Sequence, residues 1–116
     1  MSSSRVFVVQ DSPGRNYVDA QRYGIVQEPL LPATANLFMA TRPVIRELRK
    51  KLRSFTDNDY LLLVGDPNII GLACAIVADT NVGRYKTLKW DREHRRYYAA
   101  ECDIYDREIK LTESVE

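Results

Sequence analysis

Basic residues recur on one side of a helix predicted over 43–55. Apolar residues return there at helical spacing, at Val44, Ile45, Leu48, Leu52 and Phe55. The cationic residues share the other side of that helix: Arg42, Arg46, Arg49, Lys50 and Arg53. A row of this kind can attract phosphates or an acidic protein surface. Because Lys and Arg are also good helix formers, an ordinary solvated helix face is the alternative interpretation.

A second basic segment lies in a predicted β-hairpin with strands over 84–90 and 96–105. Cationic and aromatic residues alternate along it, and the candidate binding residues are Arg84, Lys86, Lys89, Trp90, Arg92, Arg95 and Arg96. Basic side chains attract a nucleic-acid backbone and aromatic rings stack on its bases, so the pattern is typical of single-strand binding. Aromatic residues also favour sheets, and charges protect edge strands from aggregation, which is the structural interpretation.

A third candidate follows the apolar strand predicted over 60–64. Gly65, Asp66 and Asn68 surround the predicted start of a helix, where backbone N–H groups can bind an anion or a small ligand. The segment has no phosphate-loop or dinucleotide fingerprint, and the Asp66 carboxylate would repel a phosphate. We therefore favour a capping role, in which Asp66 caps the helix and Pro67 begins it.

The sequence offers no catalytic or metal-binding constellation. His94 is the only histidine and falls in the hairpin loop, while Cys74 and Cys102 lie among apolar residues, where thiolates are not activated. Glu101 and Asp103 alternate with Cys102 and are expected on the outward face of their strand. We therefore predict a protein that is not an enzyme, with no catalytic residue, no metal and no cofactor.

The remaining pattern predicts an α/β fold in a single domain over 1–116, with 106–116 as an acidic tail that frays. Strands are expected over 5–10 and 25–27, with a short helix from Asn16 to Tyr23 that Gly24 ends in the left-handed conformation. An extended connection is expected to run up to the helix over 43–55. We predict a mixed sheet of four to five strands, two main helices and a C-terminal antiparallel hairpin.

The helix predicted over 68–79 is apolar on nearly every side and is therefore expected to be buried. Gly71 and the alanines of this helix are expected to let it lie close against the sheet. The helix must be covered by the N-terminal segment or by a second copy of the chain, and we expect a homo-oligomer.

The 116 residues carry a net charge of only +1. This sum hides a polarised chain, because segments 42–53 and 84–96 hold 12 basic and 3 acidic residues, whereas all other segments hold 5 basic and 13 acidic. Near-neutrality therefore does not exclude a polyanionic partner. No apolar run is long enough to span a membrane, and the N-terminus lacks the pattern of a secretory signal, so we expect a cytoplasmic protein without a membrane partner.

The chain resembles small proteins encoded by tailed bacteriophages. The resemblance covers roughly residues 5–105 and rests on segment 62–67 (LLVGDP), the apolar helix after it, and segment 83–92 (GRYKTLKWDR). It implies an accessory protein made in an infected bacterium and supplies no catalytic residues. Our leading hypothesis is a non-enzymatic accessory protein that binds a host or phage macromolecule, most simply a protein, through its basic surfaces. The alternative is a nucleic-acid-binding module that uses the same residues.

Overall fold

The computed structural model describes residues 3–107 and contains one five-stranded sheet. Its strands are β1 (Arg5–Val8), β2 (Ile25–Val26), β3 (Tyr60–Leu62), β4 (Arg84–Asp91) and β5 (Arg96–Asp103). Their order in the sheet is β2-β1-β3-β4-β5. The first four strands pair in parallel, and β5 pairs antiparallel to β4. The predicted mixed α/β sheet with a C-terminal hairpin is confirmed.

The two faces of the sheet are covered by different segments. One face, called here the helical face, carries Phe7 and Leu61 and packs against helices α1 (Leu37–Lys51) and α2 (Pro67–Thr80). The other, called the opposite face, carries Val8 and Leu88 and packs against a 3-10 helix (Val18–Arg22). The connection after β1 therefore covers the opposite face, and the connections after β2 and β3 cover the helical face. Right-handed crossovers that run in opposite directions along the sheet require this arrangement.

Helix α1 begins earlier than the apolar periodicity predicts. Segment 37–39 is already helical, and the helix is interrupted at Ala40, whose φ of −149° and ψ of 52° are not helical. Because of this interruption, Pro43 falls in the first turn of the second helical part, where its missing N–H removes no hydrogen bond. Helical geometry ends at Lys51, and the buried Leu52 and Phe55 follow it in a turn.

Helix α2 begins as predicted, because the Asp66 side chain accepts a hydrogen bond from the Asn68 N–H at 2.9 Å and Pro67 occupies the first turn. Its apolar side, which includes Ile69, Ala73 and Val77, is buried. The expectation of close packing is wrong for Gly71, which is exposed and where a Cβ would meet no atom within 4 Å, whereas Ala73 and Ala78 are buried. Helix α1 and the sheet, rather than the N-terminal segment alone, cover α2.

The short connection before β2 differs from its predicted form. The helix there is a 3-10 helix, and Gly24 is not left-handed. Glycine is required at this position because a Cβ would lie 2.6 Å from the Ser4 carbonyl oxygen. The close approach allows the Ile25 N–H to donate to that same oxygen at 2.9 Å, which joins β2 to the sheet.

The predicted acidic tail over 106–116 lies mostly outside the described residues, from residue 108 onwards. The described part folds back on the hairpin. Arg107 donates to the Asp103 carboxylate at 2.8 and 2.9 Å and also to the Val82 carbonyl.

Candidate binding surface

The cationic side of α1 is exposed along its whole length. Val44 and Leu48 turn its apolar side into the core. All of the predicted basic residues of this helix are exposed: Arg42, Arg46, Arg49, Lys50 and Arg53. Arg42, Arg46, Arg49 and Lys50 lie on α1, whereas Arg53 follows the end of the helix at Lys51, so the predicted helical spacing does not extend to Arg53. Lys51 is also exposed, but its ammonium group donates to the Leu30 carbonyl at 2.8 Å and pairs with Glu47 at 3.0 Å.

One of the five cations is neutralised by the neighbouring helix. The Arg49 guanidinium lies 3.1 Å from the Asp79 carboxylate of α2. Within residues 3–107, no carboxylate lies within ion-pair distance of the other four, namely Arg42, Arg46, Lys50 and Arg53. An exposed row of cations with no carboxylate to offset it attracts anions from outside the molecule.

The hairpin residues divide between the two faces of the sheet. The strand register pairs Lys89 with Tyr98 and Thr87 with Ala100, which places Lys89, Tyr98 and Arg96 on the helical face. All three are exposed, and Tyr98 keeps 47% of its surface accessible. The helical face of the hairpin therefore presents two cations around one exposed aromatic ring.

The hairpin residues on the opposite face already have partners within the protein. Arg84 lies 3.6 Å from Asp103, and the Lys86 ammonium lies 4.4 Å from the centre of the Tyr60 ring. Trp90 packs edge-on against the buried Tyr97, with ring centres 5.0 Å apart. Trp90 therefore contributes to the core of the opposite face and is not a free stacking platform.

Arg92 and Arg95 are exposed in the hairpin loop. His94 closes this loop, because its Nδ1 lies 2.6 Å from the Asp91 carboxylate. That hydrogen bond, together with the Glu93 N–H at 3.0 Å, lowers the pKa of Asp91. These contacts show that His94 stabilises the turn of the hairpin loop.

The exposed cations on the helical side of the molecule are named together here as the basic surface, and they fall into two groups: Arg42, Arg46, Lys50 and Arg53 on and after α1, and Lys89 and Arg96 on the hairpin. Helices α1 and α2 begin at the edge of the sheet where the parallel strands β3 and β4 end. Helix α2 separates the cations of α1 from those of the hairpin. The exposed residues of α2 between them include the small Gly71 and Ala75.

The candidate ligand site at Gly65, Asp66 and Asn68 lies where the chain leaves β3, next to the end of β1. Ligands of open α/β sheets often bind at such a point, where neighbouring crossovers go to opposite faces. Here the Gln10 side chain fills the space. A Cβ on Gly65 would lie 2.5 Å from the Gln10 Cβ, and Gln10 itself is only 4% exposed. The sequence did not indicate this role for Gln10, although a polar residue ending an apolar strand was a visible signal.

The two thiols meet beside one phenol on the helical face. Burial raises the pKa of the Cys74 thiol, and it raises the pKa of Tyr85, next to Cys74 and Cys102, to about 12. Both groups therefore stay protonated at neutral pH, and the thiol is a poor nucleophile. Residues 3–107 contain no group of three or more His, Cys, Asp or Glu side chains placed to hold a metal ion. None of the helices in this range is long and apolar enough to cross a membrane.

Comparison with known proteins identifies the family. The family described as Phage Pam3 gp32-like protein matches residues 4–104, which include every element of the sheet and both helices. No curated protein and no solved structure matches the chain. The extent of the family match agrees with the resemblance seen in segments 62–67 and 83–92, and the chain belongs to the Phage Pam3 gp32-like protein family.

Proposed function

We propose that this phage protein is a non-enzymatic accessory protein that binds an acidic surface of a host or phage protein through its basic surface. It would act in the cytoplasm of the infected bacterium. The observation that carries the proposal is a set of four exposed cations with no carboxylate within ion-pair distance among the described residues: Arg42, Arg46 and Lys50 on α1, and Arg53 in the turn that follows it. Such a set speeds encounter with an acidic partner and selects against basic ones.

An exposed aromatic residue supports a protein partner. Phe38 lies at the start of α1, before the break at Ala40, and 91% of its surface is accessible. Aromatic and Arg side chains are enriched at protein interfaces and often carry most of the binding free energy. A cationic row with an exposed Phe at its end suits a partner that combines carboxylates with an apolar pocket.

Nucleic acid is the second candidate, and the arrangement around Tyr98 favours it. Lys89 and Arg96 lie beside this exposed ring on the helical face, which is a minimal unit for stacking a base and holding its phosphates. The unit is small, because Trp90 and Tyr97 pack against each other and Tyr60 is covered by Lys86. We therefore rank it below a protein partner.

The test is affinity purification of the tagged full chain from infected cells, followed by mass spectrometry. The variant Arg46→Gln, Lys50→Gln, Arg53→Gln removes three charges from the basic surface. Its matched control, Gln21→Glu, Ala33→Glu, Thr34→Glu, changes the net charge equally at exposed positions elsewhere. We expect the control to retain a partner that the first variant loses, and binding of the purified partner to weaken with salt.

Two outcomes would overturn the proposal. If both variants retain the same proteins as the wild type, the basic surface is not the interface. If the wild type instead shifts a short single-stranded or duplex DNA at low salt, and the first variant does not, the nucleic-acid candidate replaces the protein partner.

A further inference from the structure

Two phenol hydroxyls on the opposite face of the sheet have no hydrogen-bond partner among residues 3–107. They belong to Tyr17 and to Tyr97, which is only 1% exposed, and both oxygens are buried. Burial and the neighbouring Tyr97 hydroxyl raise the pKa of Tyr17, which shows that the two phenols lie close together. Folded proteins rarely leave buried hydroxyls unpaired, so a neighbouring pair of them points to a group from outside the chain.

The Arg15 guanidinium lies beside both hydroxyls. Burial raises the pKa of both phenols, and the positive charge of Arg15 lowers it. The Arg15 side chain is exposed, and within the described residues it forms no ion pair and no hydrogen bond of ordinary geometry. Because nothing holds it in place, this side chain can turn away from the hydroxyls and close again over a ligand.

The loop that carries Arg15 is fixed by backbone hydrogen bonds. The Asp11 N–H donates to the Leu31 carbonyl at 2.9 Å, which fastens the start of the loop to the connection after β2. The Arg15 N–H donates to the Ser12 carbonyl at 3.0 Å and closes a turn in which Gly14 has a φ of +86°. The backbone therefore positions Arg15 before a ligand arrives, which lowers the entropic cost of binding.

The phenols lie at the carboxyl ends of the parallel strands. Val8 at the end of β1, Val64 just after β3 and Trp90 near the end of β4 pack in the same cluster. The connection after β1 covers the opposite face and the connection after β3 covers the helical face, and ligands of open α/β sheets often bind between two such strands. Gln10 fills this point on the side of α2, whereas the phenols lie on the other side.

Hydrogen-bond donors outnumber acceptors at this point. The two phenol O–H groups and the Arg15 guanidinium have no acceptor, and the Ser12 N–H lies near the Tyr17 hydroxyl. The phenols approach from the core and Arg15 from the surface. Donors on separate sides suit the tetrahedral oxygens of a phosphate better than a planar carboxylate, and Arg is well matched to phosphate.

Two carboxylates near the phenols leave the charge of Arg15 available. Asp11 is exposed and acts on Tyr17 less strongly than Arg15 does. Asp19 has the smallest effect on Tyr97 and already accepts from the Tyr97 N–H at 2.7 Å. Neither carboxylate forms an ion pair with Arg15.

We infer that Arg15, Tyr17 and Tyr97 bind a phosphate group, either free phosphate or the phosphate of a small monoester. The two phenols donate to it from inside the protein, and the guanidinium closes over it from outside. The basic surface lies on the helical side of the molecule, so this site is separate from it and does not depend on the function proposed above.

The test is calorimetric titration of the full chain with sodium phosphate at neutral pH and constant ionic strength. We expect one saturable site per chain. Arg15→Gln and Tyr97→Phe should each weaken phosphate binding at least about tenfold, because hydrogen bonds to a charged group are strong. Tyr97→Phe keeps the ring against Trp90, and its melting temperature without phosphate should not fall, since the hydroxyl has no partner in the free protein.

The matched controls are Arg107→Gln and Tyr105→Phe, which remove the same groups near the start of β4 and should retain phosphate binding. Glycerol phosphate and adenosine monophosphate distinguish the sources, because tighter binding of either than of free phosphate identifies a monoester. The inference is overturned if neither phosphate nor a monoester saturates a site, or if acetate binds as tightly as phosphate. Equal weakening in the controls, or unchanged affinity in Tyr97→Phe, would show an adventitious ion only and would also overturn it.

Discussion

The Gln10 side chain accepts a hydrogen bond from the Asp66 backbone N–H at 2.8 Å, across 56 residues of sequence. Its amide nitrogen also donates to the carbonyls of Pro32, Ala33 and Ala35, the last at 2.9 Å. One buried side chain thus joins the end of β1, the start of α2 and the connection that leads to α1. The position where related topologies often bind a ligand is here a structural junction.

Loss of this junction should lower the stability of the whole fold. Gln10→Leu keeps the volume but leaves the Asp66 N–H and three carbonyls without their partner. We expect the free energy of unfolding in urea to fall by about 3 kcal/mol, because each buried unsatisfied group costs about 1–3 kcal/mol. The matched change Gln27→Leu removes a single hydrogen bond to the Ile25 carbonyl and should cost less than about 0.5 kcal/mol. Equal losses for the two variants would contradict the role assigned to Gln10.

Alanine should have opposite effects at two glycines that flank the start of α2. Gly65 has a φ of +117°, and a Cβ there would lie 2.5 Å from Gln10, so Gly65→Ala should destabilise the protein by more than about 1 kcal/mol. Gly71 is exposed within the helix and has open space around it. Gly71→Ala should stabilise the protein by about 0.5–1 kcal/mol. Thermal unfolding of the two variants measures both effects, and a destabilised Gly71→Ala would show that α2 has a contact on this side.

The Asp59 carboxylate should make stability depend on pH in the acid range. Burial raises the pKa of this 1% exposed carboxyl, but hydrogen bonds from Arg5 and Thr56 outweigh burial and lower the pKa below its ordinary 3.8. The contribution is therefore complete above pH 3.8 and is lost as the pH falls through the lower pKa of the folded protein. Asp59→Asn should cost about 3 kcal/mol at neutral pH, and the difference from wild type should shrink in acid. A difference that stays constant down to the acid range would contradict this ion pair.

The Asp103 carboxylate should titrate near pH 2, because the Arg107 guanidinium lowers its pKa to about 2. Carboxyl-carbon NMR measures this pKa directly. Arg107→Ala should raise it towards 3.8, and Arg84→Ala should raise it less, since Arg84 is 3.6 Å away and Arg107 only 2.8 Å. The reverse order would mean that Arg107 does not hold residues 103–107 in the folded arrangement.

The Cys74 thiol should react slowly with iodoacetamide at neutral pH, since burial raises its pKa and limits access to it. The comparison protein carries Cys74→Ser with Ala75→Cys, which moves the thiol by one residue to the exposed side of α2. With Cys102→Ser in both proteins, we expect Cys74 to react at least about tenfold more slowly. Equal rates would show that the thiol is activated or that α2 opens readily.

The elements that local chemistry controls could be predicted from the sequence. Asp66 and Pro67 begin α2 because capping and the first-turn preference of proline involve only neighbouring residues. The placement of Arg42, Arg46, Arg49 and Lys50 follows from helical periodicity, and all four are exposed, whereas Arg53 lies beyond the end of α1. The early start of α1 could not be predicted, because its break at Ala40 moves Pro43 into a new first turn.

The exposure of the hairpin residues depended on the register between β4 and β5 and on the distant segment that covers the opposite face. Each residue type was visible in the sequence, but the register and the 3-10 helix decide that Trp90 is packed inward while Lys89 and Tyr98 are exposed. Arg49 likewise forms an ion pair with Asp79, 30 residues away. Sequence by itself therefore determined the elements, the polarised charge and the helical row. Only the tertiary structure decided which cations remain available, because ion pairing, burial and strand register join residues that are far apart along the chain.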